Sequence, residues 1–276
     1  MILHYLDIHS HLNLSPLSEN QEAILAKMRE GGVGTITVGT GLETSKMAVK
    51  IAEENPDICW ATVGLHPCHA CGEESEPYHA AELEELARHP KVVAVGETGL
   101  DYFHEDTPES RKIQEEVFRQ HIDLAIKVSK PLMLHVRASR GSDDAYYDAL
   151  GILDPLHDSG EGGSAKQNRV RANFHFFGGS KACMEAIITA GFTVSVDGPI
   201  TFSSDYDEMI KAVPLDKVMI ETDAPFAAPK PYRGKPCEPW MVVEVARKIA
   251  ELKNLPEEVV REQLLANAKV FFKINF

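Results

Sequence analysis

Short apolar runs recur along the whole chain and are separated by longer, mixed stretches. Eight of them span four to six residues and are rich in Val, Ile and Leu, which is typical of buried β-strands. The predicted strands are Leu3–Ile8, Gly34–Val38, Trp60–Val63, Val92–Val95, Pro131–His135, Val170–Phe174, Phe192–Val196 and Val218–Glu221.

Segments of helical length lie between many of these strands. The clearest is Glu109–Ser129, in which Ile113, Val117, His121, Leu124 and Val128 fall at spacings of three and four residues along one face. The other predicted helices are Asn20–Glu30, Glu43–Glu54, Ala80–Arg88, Asp144–Leu156, Lys181–Ala190, Glu238–Lys253 and Pro256–Phe272. Alternation of strands and helices predicts parallel strands that are joined by helical crossovers.

This alternation fits either an open, doubly wound sheet or a closed (β/α)8 TIM barrel. The chain has 276 residues, which suits one barrel of about 250 residues. No internal repeat or linker marks a boundary, so we predict a single domain over residues 1–276. The Gly- and Ser-rich segment Asp158–Arg169 is predicted to be an exposed loop. The positions of polar residues, described below, favour the α/β barrel.

Composition indicates a cytoplasmic globular enzyme. No apolar stretch approaches the roughly 20 residues of a membrane span, and no signal peptide is recognisable. Five cysteines without an export signal predict reduced thiols. The net charge of -14 argues against a general nucleic-acid binder, so any contact with nucleic acid must be local.

Polar residues collect where the predicted strands end. In the first strand, alternation places Asp7, His9 and His11 on one face of an extended backbone, where two imidazoles and a carboxylate converge. Histidines two residues apart on a strand commonly hold a transition metal, although this motif alone also fits a solvated strand end.

Four further strands end in a similar way, at Glu97, His135, His175 and Asp223. Each of these residues could be structural if it occurred alone. In α/β barrels, however, functional groups lie at the carboxyl ends of the strands, and five strands here carry such a group. The sequence therefore predicts a divalent-metal site formed by Asp7, His9, His11, Glu97, His135, His175 and Asp223.

These residues occur in a series of motifs that resembles the TatD family of metal-dependent deoxyribonucleases, within the amidohydrolase-like barrels. The motifs follow the family order and cover nearly the whole chain. They are Asp7-Ile8-His9-Ser10-His11-Leu12, Val63-Gly64-Leu65-His66-Pro67, Val95-Gly96-Glu97-Thr98-Gly99-Leu100-Asp101-Tyr102, Leu134-His135-Val136-Arg137, Phe174-His175-Phe176-Phe177-Gly178-Gly179-Ser180 and Glu221-Thr222-Asp223-Ala224-Pro225.

The resemblance implies a hydrolase that uses two divalent ions, and Zn, Mn, Mg, Fe and Ni are all compatible with mixed nitrogen and oxygen ligands. By position, the catalytic residues would be Asp223, which would accept a proton from the attacking water, and Glu97, while Asp7 would support the ligands. The implied ligands are His9, His11 and Asp223 for one ion, His135 and His175 for the other, and Glu97 as the bridge.

The resemblance also implies cleavage of phosphodiester bonds from the 3′ end of single-stranded or frayed DNA, as a 3′-5′ exonuclease does. The predicted substrate contacts are His66, Arg137, Arg233 and Lys235. An alternative is a metal-dependent hydrolase of a carboxylic ester, lactone or amide, including the aminoacyl ester of transfer RNA. A third possibility is a binding protein without catalysis.

Three other features are not among the predicted ligands. Cys68 and Cys71 form a Cys-x-x-Cys, but no second cysteine pair supports a zinc finger, so no independent zinc site is predicted. His121 lies on the apolar face of its helix and is predicted to be a core histidine. Phe176 and Phe177 fit either stacking on a base or packing at the barrel mouth.

Overall fold

Eight parallel strands form one sheet in the computed structural model, which describes residues 2–73, 75–153 and 170–275. Neighbouring strands in the sheet are consecutive in the chain, from β1 to β8. The strands are β1 (Tyr5–Ser10), β2 (Val33–Thr37), β3 (Cys59–Val63), β4 (Val92–Asp101), β5 (Leu132–Arg137), β6 (Ala172–His175), β7 (Thr193–Val196) and β8 (Val218–Ile220). The predicted TIM-barrel class is confirmed.

The barrel closes where β1 meets the residues that follow β8. The backbone N–H of Asp223 donates to the carbonyl of His9 over 2.9 Å, and the N–H of His11 donates to the carbonyl of Ala224 over 2.7 Å. Ser10 and Ala224 also form a parallel bridge. These bonds join the first and last strands, so they satisfy sheet edges that would otherwise be left unpaired.

Helices follow most strands and cover the barrel. They are α1 (Gln21–Gly31), α2 (Leu42–Glu54), α3 (Pro67–Ala70), α4 (Ala80–Ala87), α5 (Pro108–Val128), α6 (Asp144–Leu153), α7 (Lys181–Thr189), α8 (Asp207–Ala212), α9 (Val242–Lys253) and α10 (Glu257–Phe272). Their buried faces join the strands in one apolar core. No helix in the described ranges has the length and apolar character that crossing a membrane requires.

The longest helix, α5, shows why these boundaries form. Thr107 caps its first turn and accepts a hydrogen bond from the N–H of Ser110, and Pro108 occupies a favoured first position. The side chain of His121 is completely buried: Nε2 accepts from the N–H of Leu65 over 2.9 Å, and Nδ1 lies 2.8 Å from the carbonyl of Val117. The prediction of a core histidine is confirmed.

Several predicted boundaries differ from those in the structure. β1 extends to Ser10 and β4 extends to Asp101, so Glu97 lies within its strand and not just past the end. The short helices α3 and α8 were not predicted. The predicted end of α6 at Leu156 and the predicted loop Asp158–Arg169 lie outside the described residues. All five cysteines lie in the described part of the chain and are free, as predicted.

Candidate metal centre

Histidines of β1 and the carboxylate that follows β8 meet at the carboxyl end of the barrel. Nε2 of His9 and Nε2 of His11 are 3.3 Å apart. Both face Oδ1 of Asp223, at 3.6 Å and 3.4 Å, and both face Oε2 of Glu97, at 3.5 Å and 3.8 Å. Two imidazoles and two carboxylates thus surround one small space.

The other carboxylate oxygen of Glu97 faces a second group of histidines. Oε1 lies 3.0 Å from Nδ1 of His135, 2.8 Å from Nε2 of His175 and 3.6 Å from Nε2 of His66. The rings of His9 and His175 stack with centroids 3.8 Å apart. Glu97 is therefore shared, with one oxygen directed to each group.

The backbone of β4 explains how Glu97 reaches both groups. Between Val95 and Thr98 the register with β5 shifts, and a bulge of this kind redirects a side chain. The backbone of β4 approaches β5 so closely that it requires glycine at the two positions that flank Glu97 and Thr98. A Cβ on Gly96 would lie 2.4 Å from the carbonyl oxygen of Met133, and a Cβ on Gly99 would lie 2.1 Å from that of His135.

The charges of these groups stabilise one another. Burial alone would raise the pKa of Glu97, but the nearby His175 and His9 hold it well below its usual value. The pKa of Asp223 is likewise lowered despite burial, because His11 donates to it and His9 lies beside it. Burial opposes the charge of His175 as well, but Glu97 and Glu221 raise the pKa of its imidazole well above normal. Both acids are therefore held as carboxylates.

Asp7 does not join this space, although the sequence pattern grouped it with the ligands. Its carboxylate is fully buried and accepts hydrogen bonds from the N–H of Thr222 (2.9 Å), the hydroxyl of Thr222 (2.8 Å) and the hydroxyl of Thr35 (3.2 Å). Alternation along β1 was a poor guide here because the β1–β2 register shifts between Asp7 and Ser10. Asp7 instead fixes the segment that carries Asp223, which agrees with the supporting role.

Three buried acids near the centre received no role from the sequence. Oδ2 of Asp101 lies 2.9 Å from Nε2 of His135. Oε1 of Glu221 lies 3.3 Å from Nδ1 of His175 and accepts the N–H of Phe176. Asp197 follows β7, and its buried Oδ2 has no hydrogen-bond partner among the described residues.

The donor set fits divalent ions. Five imidazoles and two carboxylates supply the nitrogen and oxygen ligands that transition metals bind, and three groups of them lie within 4.8 Å. The two facing Nε2 atoms of His9 and His11 cannot both donate to each other, whereas a cation between them and the acids would accept lone pairs from all four. Asp101 and Glu221 contact the far ring nitrogens of His135 and His175, as carboxylates behind metal-bound histidines commonly do.

A cavity of about 1090 Å³ opens above this centre. His11, His66, His135, His175 and Asp223 line its floor, and Arg137 and Arg140 lie on its wall. The guanidinium carbons of these arginines are 4.2 Å and 5.3 Å from the centroid of the Phe103 ring. Phe226, which is 55% exposed, also lines the cavity.

The remaining predicted contacts lie farther out. Arg233 packs over the ring of Phe202, and neither Arg233 nor Lys235 is among the described residues that line the cavity. Their roles as substrate contacts therefore stay predictions, without support from the lining of this cavity. Phe177 is buried in the core, whereas Phe176 lines the cavity.

At the start of α7, several backbone N–H groups donate hydrogen bonds to side chains of the same protein. The N–H of Gly178 donates to the hydroxyl of Tyr146 and the N–H of Ser180 donates to Asp143. The Ser180 hydroxyl accepts from the N–H of Cys183. Three of the backbone donors near this helix start are thus already used within the chain.

Comparison with known proteins identifies relatives of this chain along its whole length. The family model of TatD-related DNases matches residues 6–273. An uncharacterized metal-dependent hydrolase of Bacillus subtilis, YabD, is 37% identical over 98% of this chain and 99% of its own. A 3′-5′ ssDNA/RNA exonuclease TatD of Erwinia billingiae is 29% identical over 97% and 98%. The crystal structure of the TatD homologue YJJV of Escherichia coli has a TM-score of 0.83 at 27% identity, with both chains fully covered.

Proposed function

Because this chain belongs to the TatD-related family of metal-dependent hydrolases, we propose that it removes nucleotides from the 3′ end of single-stranded or frayed DNA. Hydrolysis of the phosphodiester bond would use two divalent ions held around Glu97. The name of the Erwinia billingiae relative supports this substrate class.

One observation carries the proposal: the two oxygens of Glu97 face two separate groups of nitrogen ligands at the floor of an open cavity. A shared carboxylate of this kind is how two ions are held as a pair. His9, His11 and Asp223 would hold one ion, and His135 and His175 the other. When bound, such ions lower the pKa of water and offset the charge that develops on phosphate.

The chain's own residues have distinct tasks in this reaction. Asp223 is held as a carboxylate and lines the cavity, so it can accept the proton of the attacking water. Burial and the neighbouring His135 lower the pKa of His66 well below normal, so this imidazole is neutral and can donate or accept a hydrogen bond to substrate. Asp7 keeps the Asp223 segment against β1 through Thr222.

The wall of the cavity suits a flexible nucleic-acid strand. Arg137 lies two residues after His135, at the end of β5, and offers a cation near the floor. Charged guanidinium groups bind phosphate oxygens strongly, and exposed aromatic rings such as Phe226 and Phe103 can stack on bases. A single strand has a smaller cross-section than a blunt duplex, so we expect its end to reach the floor more readily.

The test compares two substrates in one variant. We expect Arg137→Ala to slow cleavage of a 3′-labelled single-stranded oligonucleotide by roughly 10- to 150-fold, because one charge-assisted contact is commonly worth about 1.5–3 kcal/mol. Hydrolysis of a neutral lactone or ester should change little, because it lacks the phosphate. The protein is first stripped of metal with a chelator and then reconstituted with Mn²⁺ or Zn²⁺. The measurement is kcat/KM for both substrates and for aminoacyl-tRNA.

Arg88→Ala is a matched control, because Arg88 lies at the end of α4, far from the cavity, and pairs with Glu84. It should leave all activities unchanged. Equal losses on the oligonucleotide and the ester in Arg137→Ala would mean that Arg137 supports the fold or the centre and does not bind phosphate, and no cleavage of the oligonucleotide by the metal-loaded wild type would contradict the nuclease assignment. Full activity in verified metal-free protein would contradict metal-dependent hydrolysis altogether.

A further inference from the structure

A second group of side chains with the chemistry of metal ligands lies beside the centre and does not belong to the ligand sets proposed above. It consists of Cys68 in the short helix after β3, Asp101 at the end of β4, and His104 three residues later. One ligand atom from each of these residues lies within 4.8 Å of the other two. Sequence spacing does not reveal this group, because Cys68 lies more than 30 residues before Asp101, in a different element.

The Cys68 thiol and the His104 imidazole both face one carboxylate oxygen of Asp101. Oδ2 of Asp101 lies 2.8 Å from Nδ1 of His104 and 3.5 Å from Sγ of Cys68. Oδ1 of the same carboxylate accepts the N–H groups of Phe103 and His104 over 3.0 Å and 2.9 Å. The backbone thus fixes the carboxylate, and a thiol and an imidazole are directed at it.

A role of Asp101 in orienting His135 explains only part of this arrangement. Asp101 contacts Nε2 of His135, and one carboxylate oxygen suffices for that task. It does not require a thiol beside the carboxylate, yet Sγ of Cys68 lies 3.5 Å from Oδ2 of Asp101. A metal ion would give the sulfur and the carboxylate a shared partner.

The group is also accessible from solvent. Cys68, Asp101 and His104 all line the same cavity as the candidate metal centre, and the His104 side chain is 50% exposed. An ion can therefore enter without disturbing the core. Sulfur, nitrogen and oxygen donors in one place are typical of zinc sites, and three protein ligands leave a position open for water or for substrate.

We propose that Cys68, Asp101 and His104 form a further metal site, distinct from the centre around Glu97, which takes a thiophilic divalent ion of the zinc or cadmium class. The site does not depend on the nuclease proposal, because none of its three residues is proposed to bind the two ions around Glu97 or the substrate, and Asp101 contributes to that centre through its contact with His135. Since Asp101 also contacts His135, an ion held here lies next to the histidines of the main centre.

Cobalt substitution tests this site directly. The main centre contains no sulfur donor, so a thiolate-to-cobalt charge-transfer band in the near ultraviolet can arise only from a cysteine site. We expect this band when chelated, full-length protein is titrated with Co²⁺, and we expect Zn²⁺ and Cd²⁺ to displace it. Cys68→Ser should abolish the band, and His104→Gln should weaken Co²⁺ binding at this site at least tenfold.

Cys71→Ser is the matched control, because the Cys71 sulfur is buried, lies 3.4 Å from the carbonyl of Pro67 and belongs to none of the candidate metal groups of described residues. It should keep the band. Absence of the band in the wild-type protein, or its persistence in Cys68→Ser, would overturn the proposal.

A second measurement needs no variant and covers the case in which Cys68→Ser does not fold. Alkylation of Cys68 by iodoacetamide, followed by peptide mass mapping, should slow at least tenfold when Cd²⁺ is present. An unchanged alkylation rate would also overturn the proposal. Nuclease activity can be present or absent in either result, so the two proposals succeed or fail separately.

Discussion

Glu97 and Asp223 are both acids of the same centre, but the geometry gives them different tasks. Glu97 faces both groups of histidines, whereas Asp223 faces only His9 and His11. Removing the shared acid should therefore affect both groups, while a neutral replacement of Asp223 should affect chemistry more than binding.

We expect Glu97→Ala to lose most of its bound metal, because both ions share this carboxylate. Asp223→Asn keeps an oxygen that can contact an ion but cannot accept a proton, so it should retain most of its metal and lose about 100- to 10,000-fold in kcat. Elemental analysis of both purified variants, together with oligonucleotide turnover, measures this contrast. Wild-type metal content in Glu97→Ala would show that it does not bridge.

The buried His121 predicts a pH dependence of stability. Burial lowers its pKa in the folded protein to about 4, whereas an unfolded chain has a value of about 6.5. Its stabilising contribution is complete above the unfolded value and is lost as the pH falls from there through the folded value. The full difference corresponds to about 3 kcal/mol.

Urea unfolding of the wild type and of His121→Gln at about pH 7 and about pH 4.5 measures this contribution. Between these pH values the wild type should lose about 2 kcal/mol more of its free energy of unfolding than the variant. Glutamine can still accept the N–H of Leu65 but does not titrate. If both proteins lose the same free energy of unfolding between the two pH values, His121 does not titrate as the burial requires.

At the residue scale, one rule predicted most of the site: functional residues lie at the ends of strands. It missed a residue on a strand to which it was not applied. Acids and histidines at strand ends identified His9, His11, Glu97, His135, His175 and Asp223, which the structure brings together; their roles as ligands stay a prediction. The same rule applied to β7 would have found Asp197. Glu221 and Asp101 act through hydrogen bonds across strands, which no linear pattern contains.

At the scale of elements, the bulge in β4 is the feature that no hydrophobic pattern predicted. The apolar run ends at Val95, so the sequence placed the strand end there, although pairing continues to Asp101. The signal was present in Gly96 and Gly99. Glycines that flank an acid on a strand indicate close backbone approach, but which strand approaches depends on the folded register.

Gly99→Ala should show how much the site depends on this approach. The new Cβ would meet the carbonyl oxygen of His135, at a φ of +138° that favours glycine. We expect a loss of about 1–3 kcal/mol in the free energy of unfolding, together with weaker metal binding, because β5 carries His135. Urea unfolding and metal titration measure the two effects.

Gly151→Ala provides a control of opposite sign. Gly151 lies in α6, where an added Cβ meets nothing within 4 Å, so alanine should stabilise the helix by about 0.5–1 kcal/mol. Equal effects of the two substitutions would mean that backbone approach does not constrain β4. Element types and order, by contrast, followed from periodicity alone, because long amphipathic helices and buried strands differ clearly in their spacing.

At the scale of the whole molecule, the net charge of -14 sets how nucleic acid can be held. Only Arg137 and Arg140 supply cations among the described residues that line the cavity. Binding of a single strand should therefore depend weakly on salt. We expect the logarithm of the binding constant to fall with log salt at a slope of about −1 to −2, as for two or three neutralised phosphates.

The measurement is fluorescence anisotropy of a short labelled oligonucleotide with metal-loaded Asp223→Asn, with a blunt duplex of the same sequence as the control. The duplex should bind more weakly at every salt concentration. A steep slope, or tighter binding of the duplex, would indicate a basic surface outside the cavity and contradict entry of single-stranded ends.

Closure of the barrel has a consequence for how this protein is made. The hydrogen bonds that join β1 to the end of β8 use the backbone of His9, His11, Asp223 and Ala224. The first three of these are the candidate ligands of one ion, and Ala224 follows Asp223 directly. A chain cut short by a premature stop before residue 218 has the two histidines of β1 but neither β8 nor Asp223. Such products cannot bring these histidines and this acid together, so we expect hydrolytic activity only after the segment through Asp223 has been translated.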